Sequence, residues 1–357
     1  MMKVLVFPRD DGNPYQRLLY GEMERLGTRV TYLGRLTPSR TLNLLLLPVE
    51  VAARRAAGAR LVHLHWVFGF GLPGADRFPP ARRLAQAWFT LWLRITRLVG
   101  VRLVWTAHNV LPHGAVFADD VAARRALVQA CDLVLAHSRS ALTGLTALGA
   151  TPRNSAVIPH GPLAPVPPAA SLRAPGSGRG GPRRIVFFGK ILDYKGVEDL
   201  LAAFAAVPAD AAAELIVAGQ CDDQPMRSRL RRAAGERVVL RLGRLAEPEV
   251  GPLLTSADAV VLPYRRVTTS GSATLALAYG RPLILPELDA FAHFPPGAVV
   301  RYDGTRAALT EALTWVARAE TAALAALAAA AHTYAATLSW PDIAARTRAE
   351  LASVVAR

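Results

Sequence analysis

Short apolar runs recur along this chain, and the intervals between them carry amphipathic helical patterns. Residues 4–8, 29–33, 61–65, 103–107, 133–137 and 156–159 are six such runs, with helical stretches such as 15–26 and 121–130 between them. Strands separated by helices rather than by tight turns pair in parallel through crossover connections. From 161 to 182 the pattern breaks into Pro, Gly, Ser and Ala, the composition of a linker. It then restarts with runs at 184–188, 214–218, 238–242, 259–262 and 282–285 and a helix at 196–205. The expected fold class is α/β, with two doubly wound parallel-sheet domains. Residues 1–165 form the first, 166–183 the linker, 184–340 the second, and 341–357 a final helix returning to the first domain.

Of 357 residues, 52% are hydrophobic and 19% charged, which allows two buried cores and excludes wholesale disorder. The two cysteines, Cys131 and Cys221, are too few for a disulfide framework and suit a reducing compartment. Met1-Met2-Lys3 runs directly into the first strand without a cleavage site. No apolar run approaches the roughly twenty residues of a membrane span; the longest, 42–49 and 322–331, read as ordinary helix. A cytoplasmic protein is expected.

The formal charge is +15, from 42 basic and 27 acidic residues, and residues 36–105 carry ten arginines against Glu50 and Asp76. Within that segment, 80–99 mixes Arg82, Arg83, Arg94 and Arg97 with Trp88, Phe89, Trp92 and Leu93. Arginine and tryptophan on one amphipathic helix suit an anionic membrane surface and a peripheral position on its inner face. The plainer reading is a packed helix with solvated arginines. Basic charge also raises nucleic acid as a partner, but no recognition motif accompanies it, so none is expected.

Only three of the basic residues are lysines: Lys3, Lys190 and Lys195. Two of them bracket one loop, Phe188-Gly189-Lys190-Ile191-Leu192-Asp193-Tyr194-Lys195-Gly196, between a strand and a helix. Carboxyl ends of parallel strands are where α/β sheets bind ligands. Cations there, beside a helix amino terminus, neutralise a diphosphate. The alternative is a pair of surface lysines.

Gly189-Lys190-(four residues)-Lys195-Gly196 resembles the Gly-Arg-(four)-Lys-Gly motif of GT-B glycosyltransferases, especially the retaining family 4. Lysine replaces the family's arginine at 190, keeping charge but losing bidentate geometry. Asn13-Pro14-Tyr15-Gln16 resembles the family's opening loop and helix. His63-Leu64-His65-Trp66 and Thr106-Ala107-His108-Asn109 resemble its third and fourth strand ends, and Ser339-Trp340-Pro341 the entry to its returning helix. The resemblance implies two Rossmann-like domains facing a central cleft and metal-independent hexose transfer, without a cofactor, from a GDP- or UDP-linked sugar to a saccharide or glycolipid acceptor. It places Lys190 and Lys195 on the donor pyrophosphate and His108 near the transferred sugar. It puts Gly12, Asn13 and Gly189 at the donor, and Tyr15, Trp66 and His113 toward the acceptor.

The donor loop departs from the family. Aligned on Ala278-Tyr279-Gly280-Arg281-Pro282, the family's two glutamates, eight positions apart, fall at Val267 and Leu275. Thr269, Ser270, Gly271 and Ser272 stand between, and their hydroxyls and N–H groups, leading into a helix, suit a diphosphate. A non-catalytic homologue binding nucleotide or lipid and a sugar-nucleotide epimerase therefore remain as alternatives. A dinucleotide oxidoreductase is not expected, because the first strand leads into Pro8-Arg9-Asp10-Asp11-Gly12 rather than Gly-x-Gly-x-x-Gly. If transfer inverts the sugar, a base must reach the acceptor hydroxyl, and Asp11 and His108 are the candidates. His63 and His65 point the same way on a strand like a metal pair, but no third ligand completes a site, and no metal is expected. His160, at the linker entrance, reads as structural.

Overall fold

The computed structural model describes residues 1–72, 75, 79–112, 114–163, 167–168, 171–176 and 181–357, with Phe68 described by its backbone alone. His113 and Asp76 lie outside the described residues, as does much of the expected linker. Contacts divide the chain into a first unit, Met1–Gly161 with Trp340–Arg357, and a second, Pro162–Ser339.

In the first unit, β1 (Lys3–Phe7), β2 (Arg29–Tyr32), β3 (Leu61–Leu64), β4 (Arg102–Ala107), β5 (Leu133–Ala136) and β6 (Ser155–Val157) form one parallel sheet. Its order is β2-β1-β3-β4-β5-β6. β3, β4 and β5 are buried almost throughout, which is why they read as unbroken apolar runs. The sheet winds one way to β2 and the other way from β3, so the topological switch lies between the carboxyl ends of β1 and β3.

α1 (Pro14–Arg25) starts where the Asn13 side chain caps it, with Pro14 in its first turn. α2 (Arg40–Ala56) and α3 (Pro79–Leu98) pack on a common core through Leu44, Leu47 and Val51, and through Ala85, Phe89, Trp92 and Leu93. The aromatic residues of α3 face this core, as the plainer reading of the segment has it. Phe89 and Trp92 are fully buried, and Trp88 donates its indole N–H to the Leu44 carbonyl. Burying a ring of that size contributes about 2–3 kcal/mol, which fixes the helix with its aromatics inward. What α3 shows to solvent is Arg83, Leu84, Leu91, Arg94, Arg97 and Leu98. α4 (Asp120–Ala130) and α5 (Arg139–Ala147) follow, capped by Asp119 and Ser138. α12 (Trp340–Ala356) packs against α1.

The second unit repeats the plan with β7 (Arg183–Phe188), β8 (Ala213–Ala218), β9 (Val238–Arg241), β10 (Ala259–Val261), β11 (Leu283–Pro286) and β12 (Val299–Tyr302). All pair in parallel, in the order β12-β11-β10-β7-β8-β9, so its switch lies between β7 and β10. α6 (Val197–Ala205), α7 (Gln224–Ala233), α8 (Glu247–Ser256), α9 (Gly271–Ala278), α10 (Arg306–Arg318) and α11 (Thr321–Ala336) complete it. β12 was absent from the sequence reading; its run Val-Val-Arg-Tyr is short and carries an arginine.

Part of the expected tether is anchored. Arg173 bonds the Ser256 carbonyl and Asp258, whose carboxylate also accepts from the Gly176 and Arg184 N–H groups. Arg281, almost fully buried, donates to the carbonyls of Arg173, Ala257 and Tyr279. Burial lowers its pKa to about 10. Among the described residues, no single helix is long and apolar enough to cross a membrane.

Candidate active site

At the switch point of the second unit, β7 runs into Gly189, and three elements converge there. Gly189 has φ +120°, and a methyl group on it would lie 3.1 Å from Ser272 Oγ and 3.4 Å from Lys195 Nζ. The loop after β7, the amino terminus of α9 and the Lys195 ammonium therefore share one small space. Ser270 caps α9 by accepting from Ala273 N–H, so the open helix end carries Gly271 and Ser272. Lys195 Nζ also stands 5.0 Å from the Tyr264 ring centroid.

The arrangement is braced from below. The Arg265 N–H donates to the Tyr194 carbonyl, and its guanidinium holds Asp199 at 2.8 Å and Asp193 at 3.3 Å. Gly196 turns the chain at φ +67°, where a methyl group would strike the Pro263 carbonyl oxygen at 2.1 Å. Thr269 Oγ1 and the Tyr264 hydroxyl are buried without a hydrogen-bond partner, which costs stability.

Lys195, Gly189, Gly271 and Ser272 are thus brought together, a cation beside a helix amino terminus, an arrangement that suits an anion. Lys190 differs. Its ammonium pairs with Asp222 at 3.0 Å, and that contact holds the exposed Asp222 carboxyl below its usual pKa. Leu275 is buried and Val267 partly buried, both packed in the core of the second unit.

In the first unit the strand ends assemble four histidines into one hydrogen-bonded chain. His63 Nε2 lies 2.7 Å from Thr106 Oγ1, and its Nδ1 lies 2.8 Å from the Tyr20 hydroxyl. The same hydroxyl is 2.6 Å from His65 Nε2, and His65 Nδ1 is 2.9 Å from His108 Nε2. His108 Nδ1 is 3.2 Å from His137 Nε2, and His137 Nδ1 is 2.9 Å from the Ile158 carbonyl oxygen.

That carbonyl only accepts, so His137 carries its proton on Nδ1. With neutral rings, every other bond then runs one way, from Thr106 through each Nδ1–H to Ile158. Burial supports neutrality. It lowers the pKa of His63 to about 3 and of His160 to about 4, and holds His65 and His108 well below the ordinary value. Tyr15 lies beneath, its ring 4.8 Å from His108 and 5.4 Å from Trp340, and burial raises its hydroxyl pKa. Trp66 stacks on His108 at 4.6 Å.

Several roles read from the sequence change here. Both His108 nitrogens are occupied, so no lone pair is left to take an acceptor's proton. His63 and His65 are linked through the Tyr20 hydroxyl. Tyr15, 3% exposed, is a packing residue instead of an open acceptor contact. Asn13 commits its side-chain oxygen to capping α1, and Gly12 N–H donates to Asp10 Oδ1. His160 bonds the Gly161 carbonyl, a structural contact. Asp11 remains two-thirds exposed on the loop after β1, paired with Arg9 at 2.5 Å and Arg35 at 3.6 Å. Tyr20, Thr106 and His137 were missed as chain members, because their partners lie far away in sequence.

Residues 182–326, which contain the whole cradle, match the family described as "Glycosyl transferases group 1". The second unit therefore carries the sequence pattern of the group 1 glycosyltransferases. A GDP-mannose:glycolipid 4-beta-D-mannosyltransferase of Xanthomonas campestris is 28% identical to this glycosyltransferase over 254 residues, covering 68% of this chain and 67% of that one. Among solved structures, sucrose-phosphate synthase of Thermosynechococcus elongatus superposes with a TM-score of 0.76 at 17% identity, covering all of both chains. HepE of Anabaena, solved with UDP, superposes at 0.71 and 15% identity, covering 99% of this chain and all of that one. These likenesses establish the GT-B fold.

Proposed function

We propose that this glycosyltransferase moves a mannosyl group from GDP-mannose to a lipid-linked saccharide, with inversion, at an anionic membrane face. The observation that carries the donor half is the convergence of Lys195, Gly189 and Ser272 on the amino terminus of α9. Breaking the bond between the anomeric carbon and the phosphate oxygen leaves the electron pair on that oxygen. An ammonium and a helix amino terminus fixed there stabilise the charge as it develops. A diphosphate also competes with the exposed Asp222 for Lys190, which would bring up a second cation.

The donor, acceptor and linkage are suggested by the Xanthomonas relative, whose name carries GDP-mannose, glycolipid and a 4-beta-D-mannosyl product. A β-mannoside formed from an α-linked donor requires inversion. The acceptor oxygen attacks the anomeric carbon while a base takes its proton. With His108 occupied at both nitrogens, we assign that role to Asp11.

The test combines binding with product analysis. Titration should show GDP binding in preference to UDP and ADP, with Lys195→Ala weakening it at least ~10-fold, the loss expected for a charge-assisted contact. With a lipid-linked saccharide present, free GDP and a mannosylated lipid should appear together. Asp11→Asn should lower kcat about 10²–10⁴-fold while leaving GDP affinity intact. Absence of nucleotide binding in the folded protein, or a product in which an altered sugar is still attached to its nucleotide, would overturn the reading.

A further inference from the structure

A second cavity, of about 500 Å³, opens in the first unit at the carboxyl ends of β1 and β2. Arg9, Arg35 and Arg40 line it, with Asp11 as the one acid among the described lining residues. Three guanidiniums against one carboxylate leave an excess of two positive charges. The amino terminus of the seventeen-residue α2 adds its partial charge at the same end.

The wall that presents Arg35 is held rigid. Gly34 N–H donates to Glu50 Oε2, a buried carboxylate on α2. Asn43 closes the rest of the turn, accepting from Thr37 N–H and Oγ1 while donating to the Thr37 carbonyl. Arg40 reaches the Gly71 carbonyl from the other side. A cationic cavity with fixed walls binds an anion without first having to order its loop.

What adjoins the cavity narrows the ligand. Leu36 is 53% exposed between two lining residues, and Leu42, Leu45 and Val49 continue along the outer face of α2 at 45%, 50% and 66%. The spacing of Leu42, Leu45 and Val49 puts them on one stripe that starts beside the cavity lip. Charge at one end and a hydrocarbon track leading away from it match an amphiphile with a phosphate head.

We propose that this cavity seats the phosphate or diphosphate that joins the acceptor's saccharide to its lipid, with the hydrocarbon lying along α2. The proposal rests on the glycolipid-acceptor reading above and names the chemical class of that acceptor. Asp11, at the β1 side, faces the saccharide, while Arg35, Arg40 and the start of α2 hold the anion.

Binding tests it without requiring turnover. Titration of the full-length protein with farnesyl diphosphate, inorganic pyrophosphate and farnesol separates head from chain. Saturable binding of farnesyl diphosphate is expected, with weaker binding of pyrophosphate and none of farnesol. Arg35→Gln and Arg40→Gln, each folded by its melting profile, should weaken farnesyl diphosphate at least ~10-fold, as lost charge-assisted contacts do. Lys195→Ala should leave it unchanged. Competition by GDP together with indifference to Arg35→Gln would place the ligand in the donor cradle and overturn the proposal. Equal transfer to a phosphate-free alkyl glycoside and to a lipid diphosphate saccharide, with the same KM in wild type and Arg35→Gln, would overturn the cavity's role while leaving the transferase reading standing.

Discussion

Gly196 shows how one residue carries both fold and chemistry. It sits in the left-handed region and faces a carbonyl oxygen with no room for a β-carbon. The turn it makes places Lys195 on one side and the start of α6 on the other. Gly196→Ala should cost roughly 2–4 kcal/mol of stability in the second unit, from backbone strain plus displaced packing. Urea unfolding would measure it, and GDP affinity should fall with it as Lys195 shifts. A variant that keeps both wild-type values would remove this glycine from the account. The motif containing Gly196 was legible because its members are sequence neighbours. The availability of His108 was not, since both of its ring partners come from other strands.

At the scale of elements, α2 and α3 carry two apolar faces each, and helical periodicity alone cannot say which one is dry. The sheet decides: Trp92 and Phe89 fill the core, and Leu84, Leu91 and Leu98 are left outside with Arg83, Arg94 and Arg97. Among the described residues of 36–98, seven large apolar side chains are more than 40% exposed. The acid on α2 and α3, Glu50, is buried. Leucine between arginines on an outer face suits an anionic bilayer. The protein should co-sediment with vesicles containing phosphatidylglycerol and not with pure phosphatidylcholine. Leu45→Gln with Leu91→Gln should abolish co-sedimentation while shifting Tm by only a few degrees, since both residues are already about half exposed. Retained binding would move the contact elsewhere, and a dimer dissolved by the same changes would make the stripe an interface between copies.

For the whole molecule, the buried histidines of the chain, with His160 beside them, tie stability to pH. In the unfolded chain each ring titrates near 6.5, whereas in the fold His63 and His160 stay neutral down to about 3 and about 4, and His65 and His108 are also held low. Between those limits the unfolded state binds more protons, so stability falls as pH falls. It is fully present above about 6.5 and declines by roughly 1.4 kcal/mol per pH unit for each ring still neutral in the fold. The first unit's Tm should therefore fall between pH 7 and pH 5. A flat melting profile over that range would mean the rings already carry protons in the fold. Tyr20→Phe, which removes the hydroxyl linking His63 to His65, should lower Tm at pH 7.

The two sheets, the long helices and the loop joining β7 to α6 could be read from the amino acids because each depends on residues a few positions apart: strand run, helix period, Gly-Lys-(four)-Lys-Gly. Other features depended on residues far apart in the chain. His65 and His108 are 43 positions apart and meet because β3 and β4 pair with Leu64 beside Trp105. Arg9, Arg35 and Arg40 line one cavity because β1 and β2 end at the same edge of the sheet. Lys190 turns toward Asp222 because β7 and β8 run side by side. Local periodicity carries the secondary structure, whereas side-chain partners follow from strand register, which forms only when distant segments bury their apolar faces together.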